Sequence, residues 1–139
     1  MPRILIADDA EIMRLRLRLL LAEQGHEVLE AEDGAQAVSM YREHRPDLVL
    51  MDYIMPNQNG LEALAEIRRL DPQARVVILT WLSQHTLIQQ CMQAGARSFL
   101  LKPPTAPELE QTISTALAPA GPSPKAASRG GTDELSLNR

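Results

Sequence analysis

Short stretches rich in apolar residues recur along the chain at residues 4–7, 28–31, 48–51, 76–80 and 99–101 and mark five strands. The runs at 4–7 and 48–51 are continuous rather than alternating. A continuous run of that length fits a strand buried on both faces, as in a parallel sheet. Between the runs the apolar positions return every three or four residues. Met13, Leu17, Leu20 and Leu21 mark a first helix over 10–24, and Gly25 is placed to end it. A second helix spans 35–45 and stops at Pro46. Leu61, Leu64, Ile67 and Leu70 space a third, closed by Asp71-Pro72. Ser83 is placed to cap a fourth, carrying Leu87, Ile88, Cys91 and Met92, with Gly95 beyond it. Leu109, Ile113 and Leu117 mark a fifth. On the first helix Arg14, Arg16 and Arg18 are expected in solvent.

Strand and helix alternate five times. That order implies right-handed crossovers and a doubly wound, five-stranded parallel sheet with helices on both faces, an α/β fold. After Ala118 the periodicity stops. Residues 119–139 are rich in Pro, Gly, Ser and Ala, and read as a disordered tail or a linker behind a domain at 1–118.

Composition narrows the class without naming a function. The chain has 139 residues, 45% hydrophobic and 23% charged, enough for one domain with a real core. Its net charge of −4 gives no basic footprint for nucleic acid or an anionic membrane. No apolar run approaches the roughly 20 residues of a membrane span. A strand begins almost at the first residue, which leaves no place for a signal peptide. Cys91 is the single cysteine, so neither an intrachain disulfide nor a Cys-rich zinc site is expected. His26, His44 and His85 lack ligand spacing. These features read as cytoplasmic.

The chemistry lies where the strands end. In a parallel sheet every carboxyl end falls on one edge, and open α/β sheets bind ligands there. The first strand ends in Asp8-Asp9, the third in Asp52, the fourth in Thr80, and the fifth runs into Lys102. Each has an ordinary structural explanation: Asp9 as a helix cap, Thr80 as a strand former, Lys102 as a surface charge. Together they bring three carboxylates, a hydroxyl and an ammonium to one edge. Crowded carboxylates repel, and a hard dication relieves them. Mg²⁺ suits such a site because it takes a few carboxylates and keeps waters and phosphate oxygens as its other ligands. A phosphoryl group is then the expected substrate, with an aspartate as nucleophile.

The set Asp8-Asp9, Met51-Asp52-Tyr53-Ile54-Met55-Pro56 with Gly60, Thr80 and Lys102-Pro103 resembles the response-regulator receiver domain, most of all its stand-alone chemotaxis-type members. Gln93-Ala94-Gly95-Ala96 is also similar to that family. The resemblance covers about residues 3–118. It implies a flavodoxin-like fold with strand order 2-1-3-4-5. It implies Asp52 as phosphoacceptor from a sensor histidine kinase or a histidine phosphotransfer protein. Mg²⁺ would be held by Asp9, Asp52 and the backbone carbonyl of Ile54, with Asp8 acting through water. Lys102 and Thr80 would contact the phosphoryl group, and the bond before Pro103 would be cis. Thr80 and Phe99 match the family's switch pair, which would change the face made by the fourth helix, fifth strand and fifth helix for an output protein. Neither nucleic acid nor a membrane is an expected partner of this chain. Such a domain is not an enzyme beyond its own phosphorylation and dephosphorylation.

The sequence departs from the family pattern at Trp81, where a small residue is usual, at Pro104, where an aromatic often stands, and at the variable position of Glu11. Trp81 is expected to gate access. Ile54, Trp81 and Leu82 offer no amide or carboxylate to orient water, so a long-lived phosphoryl state is expected. A haloacid-dehalogenase-type phosphohydrolase would carry Asp-x-Asp after its first strand; this chain has Asp8-Asp9-Ala10. A flavodoxin-like flavin binder would need a hydroxyl- and glycine-rich loop there, and Asp8, Asp9 and Glu11 would repel its phosphate. The remaining alternative is the receiver part of a longer DNA-binding regulator, cut in its linker, with 135–139 as the start of something further.

Overall fold

The computed structural model describes residues 2–119, so the tail expected at 119–139 lies, beyond Pro119, outside the described residues. The elements are β1 (Arg3–Ala7), α1 (Glu11–Glu23), β2 (Glu27–Ala31), α2 (Gly34–His44), β3 (Leu48–Asp52), α3 (Gly60–Leu70), β4 (Val76–Thr80), α4 (His85–Gln93), β5 (Ser98–Leu101) and α5 (Ala106–Leu117). The five strands are parallel, in the order β2-β1-β3-β4-β5.

The continuous apolar runs have a direct cause. Alternate side chains of each strand enter different cores, and both cores are built of buried apolar side chains. Ile4, Ile6, Leu48, Leu50, Val77 and Leu79 face Leu17 and Leu21 of α1 and Leu109 and Ile113 of α5. Leu5, Ala7, Val49, Met51, Val76 and Ile78 face Tyr41 of α2, Leu64 and Ile67 of α3, and Leu87 and Cys91 of α4. A fully buried Leu or Ile contributes about 1.5–3 kcal/mol, so a polar residue in mid-strand would be costly on either face. Polar residues are therefore driven to the strand ends.

Helix boundaries follow the expected stop signals. Gly25 and Gly95 adopt positive φ just beyond α1 and α4, at +89° and +108°. Asp71 closes α3, and Arg45, in the left-handed region, precedes Pro46 after α2. Two capping boxes, Asn59 with Glu62 and Thr105 with Glu108, start α3 and α5.

Several expectations are corrected. Ser83 does not cap α4. The helix begins at His85 behind Gln84 and has no side-chain cap, because the Leu82 N–H is tied back to Thr80 Oγ1 at 3.0 Å and holds the chain at the end of β4. The ordinary structural alternative for Asp9, a helix cap, is set aside as well: Ala10 is the cap residue of α1, and its N–H is taken by Asp8 Oδ1 at 2.8 Å. Met92 is 43% exposed, and Leu20 is only partly buried, because each lies at the margin of its helix's buried stripe. Arg14 is not in solvent. Its side chain is 11% exposed, held by Glu30 and by the backbone of Asp8.

Candidate functional site

The β3–α3 loop, residues 53–59, is set by two glycines. A Cβ on Gly60 would strike the Asp52 carbonyl oxygen, and one on Gly34 would strike that of Gln58. Gly60 N–H donates to the Tyr53 carbonyl at 2.7 Å. The loop therefore folds back tightly against the end of β3 and leaves Asp52 at the sheet edge.

Four polar side chains are buried in the described part of the chain: Asp8, Asp52, Thr80 and Lys102. Each ends or follows a strand, as the sequence implied. Lys102 Nζ lies 2.6 Å from Asp8 Oδ2 and 3.0 Å from Asp52 Oδ2. Asp9, by contrast, is exposed, and its carboxylate has no hydrogen-bond or ion-pair partner among the described residues. Oxygen atoms of Asp8, Asp9 and Asp52 all fall within 4.8 Å of one another, a spacing that suits a metal ion. The donors are all carboxylate oxygens, the set preferred by Mg²⁺ over softer metals. Burial pushes the Asp52 carboxyl up to about 6; Lys102 opposes this, and the charges of Asp8 and Asp9 add to it. The buried cluster thus carries one cation against two buried carboxylates and a third at its mouth.

The site opens as a cleft of about 230 Å³ lined by Asp8, Asp9, Ala10, Asp52, Ile54, Thr80, Trp81 and Lys102. Ile54 and Trp81 are both largely exposed at its mouth, and the indole centroid is 5.8 Å from Lys102 Nζ. Thr80 Oγ1 is the acceptor for Leu82 N–H and so faces the loop after β4. Phe99 is partly buried against the core beneath α4; its strand partner is Ile78, two residues before Thr80. Thr80 and Phe99 therefore share one face of the sheet. The Lys102–Pro103 peptide is cis, as the resemblance implied.

Sequence reasoning missed Arg14. Its Nη1 donates to the Asp8 carbonyl at 2.7 Å and its Nε to Glu30 Oε1 at 3.2 Å. No local spacing marks it, because only the placement of β2 beside β1 supplies Glu30.

Comparison with known proteins agrees with this geometry. Residues 4–114 match the model of the response regulator receiver domain. The chemotaxis protein CheY of Bacillus subtilis (strain 168) is 45% identical over 116 residues, which is 83% of this chain and 97% of that protein. The transcriptional regulatory protein PdtaR of Mycobacterium tuberculosis is 40% identical over 119 residues, 84% of this chain but 57% of that protein. Among solved structures, a chain of the CheX-CheY-BeF3-Mg²⁺ complex from Borrelia burgdorferi superposes with a TM-score of 0.81 at 28% identity, covering 84% of this chain and 90% of that one. No helix among the described residues is long and apolar enough to cross a membrane. With its strand order, its acidic cleft and this match over residues 4–114, the chain belongs to the response regulator receiver family, the phosphoacceptor modules of two-component signalling.

Proposed function

We propose that Asp52 takes a phosphoryl group from a histidine of a sensor kinase or phosphotransfer protein, and that the change is read on the face of α4, β5 and α5 by an output protein. The carrying observation is the buried contact of Lys102 with both Asp8 and Asp52 at a solvent-open cleft. An Asp52 carboxylate oxygen attacks phosphorus, the phosphorus–nitrogen bond breaks, and its electron pair stays with the imidazole. Lys102 neutralises oxygens of the transferred group, and the Thr80 hydroxyl exchanges its Leu82 partner for one of them. Phe99, on the same face as Thr80, follows it inward.

Asp9, Asp52 and the Ile54 carbonyl are the proposed Mg²⁺ ligands. Asp9 suits direct ligation because its carboxylate is otherwise uncommitted. Asp8 suits a role through water, since Oδ1 and Oδ2 already hold Ala10 N–H and Lys102. When bound, the ion supplies positive charge opposite the incoming phosphoryl oxygens. The domain catalyses only its own phosphorylation and dephosphorylation, and it acts in the cytoplasm as a domain at 1–118. Similarity spanning 97% of B. subtilis CheY supports action by protein contact.

The experiment is transfer from a phosphohistidine donor in Mg²⁺, borohydride trapping, and peptide mapping by mass spectrometry. One label on Asp52 is expected. A main label on another residue sinks the assignment.

Trp81 is proposed to gate the cleft against small donors and water. This is supported by its place beside Lys102 on the cleft wall, although 62% of the residue is exposed. Trp81→Ala should speed both acetyl phosphate labelling and hydrolysis of the phosphoryl group. Half-life is measured on kinase-labelled protein freed of kinase. Unchanged rates in the variant would remove Trp81 from any gating role.

A further inference from the structure

We infer that Arg14 is the positioning residue for Asp9, and that it sets the divalent-cation affinity of the cleft without touching the cation; this rests on the proposed role of Asp9 as a direct ligand. The problem it solves is visible in the loop between β1 and α1. Asp8 is fixed at every polar atom. Its N–H donates to the Ala31 carbonyl at 3.1 Å, Oδ1 accepts from Ala10 N–H at 2.8 Å, and Oδ2 meets Lys102 Nζ at 2.6 Å. Asp9 has none of these anchors: its side chain is exposed and no described group holds it. Its carboxylate nevertheless has to fall within 4.8 Å of those of Asp8 and Asp52. The backbone that carries it therefore decides where it points.

That backbone is the Asp8–Asp9 peptide, and its oxygen is the atom that Arg14 Nη1 grips at 2.7 Å. The grip is a charge-assisted bond from a guanidinium that is 11% exposed, which makes it short and directional. Arg14 is itself aimed. Glu30 Oε1 takes its Nε at 3.2 Å, while Glu30 Oε2 lies 2.6 Å from Arg18 Nη1. Register brings Glu30 here, because β2 pairs with β1 so that Glu30 stands opposite Ile6. The Arg14 backbone N–H also closes the first turn of α1 on the Ala10 carbonyl at 3.0 Å. A rigid triangle of β2, α1 and the loop thus ends on one peptide oxygen. Residues that orient ligands from behind in this way are worth about ten- to hundredfold in metal affinity.

Arg18 makes a useful contrast. It shares Glu30 but is 47% exposed and has no hydrogen bond to the loop. Its loss should leave the Asp8–Asp9 peptide where it is.

The test is Mg²⁺ titration of the full chain, read by Trp81 fluorescence, with thermal unfolding in chelator recorded on the same samples. The variants are Arg14→Met, Arg14→Lys, Arg18→Ala and Asp9→Ala. Arg14→Met should weaken Mg²⁺ binding by about ten- to hundredfold. Arg14→Lys, which can still reach a carbonyl but not Glu30 at the same time, should recover part of it. Arg18→Ala should bind within twofold of the parent. A purely structural role would lower the melting temperature of Arg14→Met and leave its Mg²⁺ midpoint, measured well below melting, at the parent value; that outcome overturns the inference. If Asp9→Ala binds Mg²⁺ as the parent does, the ligand assignment itself has failed, whatever Arg14 does. Should Arg14→Met not fold, Glu30→Ala, which removes the acceptor of Arg14 Nε but keeps Arg14, replaces it with the same expected direction; parent-like affinity there overturns the inference.

Discussion

Asp52→Asn should lose phosphoryl labelling to background and, in chelator at neutral pH, unfold at a higher temperature than the parent. The two effects share one cause. Asp52 is buried beside Asp8, and its carboxyl is pushed up to about 6 by that burial, with the partial opposition of Lys102. Its folded-state value therefore lies above the ordinary 3.8. In the folded state it holds its proton over a range in which the unfolded chain has lost it. Its contribution to stability is thus complete below about pH 4 and is lost as the pH rises through 6. At neutral pH the folded protein carries a buried charge that asparagine removes. The gain is limited because asparagine also weakens the Lys102 contact; roughly 1–2 kcal/mol is expected. The stability difference between variant and parent should shrink as the pH is lowered from 7 to 4. A variant less stable than the parent at pH 7, or a difference that does not shrink, would show that burial of Asp52 is not under electrostatic tension. A site that is destabilised until a cation or phosphoryl group arrives is a common cost of function.

Lys102→Met should be the most damaging single change at the site. The ammonium touches Asp8 at 2.6 Å and Asp52 at 3.0 Å, and all three side chains are almost wholly inaccessible. Removing the cation leaves two carboxylates facing each other away from water. Breaking a buried ion pair from one side costs about 3–5 kcal/mol, much of it the charge left behind. The sign with pH follows from Asp52. Without Lys102, which lowers its proton affinity, the folded-state value rises further, so the deficit should be largest above pH 7 and narrow as the solution is acidified toward pH 5. Urea unfolding in chelator at pH 7.5 and pH 5 measures it. A pH-independent loss would mean that the lysine stem packs the site and its charge is incidental.

Much of this was legible in the chain itself. Continuous runs such as Leu48-Val49-Leu50-Met51 require two dry faces, and alternation with helical periodicity leaves little choice but a parallel sheet. Once the strands are parallel, their ends share an edge, and Asp8, Asp52, Thr80 and Lys102 converge with no further information. Glycine and proline fixed the helix ends because their backbone limits act locally: Gly25, Gly95 and Pro46 needed no neighbours to be read.

What only the tertiary structure decided depends on contacts between residues far apart in the chain. Lys102 and Asp8 are 94 positions apart, and sequence could bring both to one edge without saying that the ammonium chooses Asp8 and Asp52 together. Arg14 reads as a solvated charge on a helix until the pairing of β2 with β1 sets Glu30 beside it. Ser83 reads as a cap until Thr80 Oγ1 ties down Leu82 and delays α4 to His85. Gly34 gave no sign that the loop carbonyl of Gln58 would press against it. The hydrophobic pattern acts through burial, which is nearly additive and local in sequence, so it fixes elements and their order. Hydrogen bonds and ion pairs depend on direction and on distances of a few ångströms, and those are set only when the sheet has closed its register.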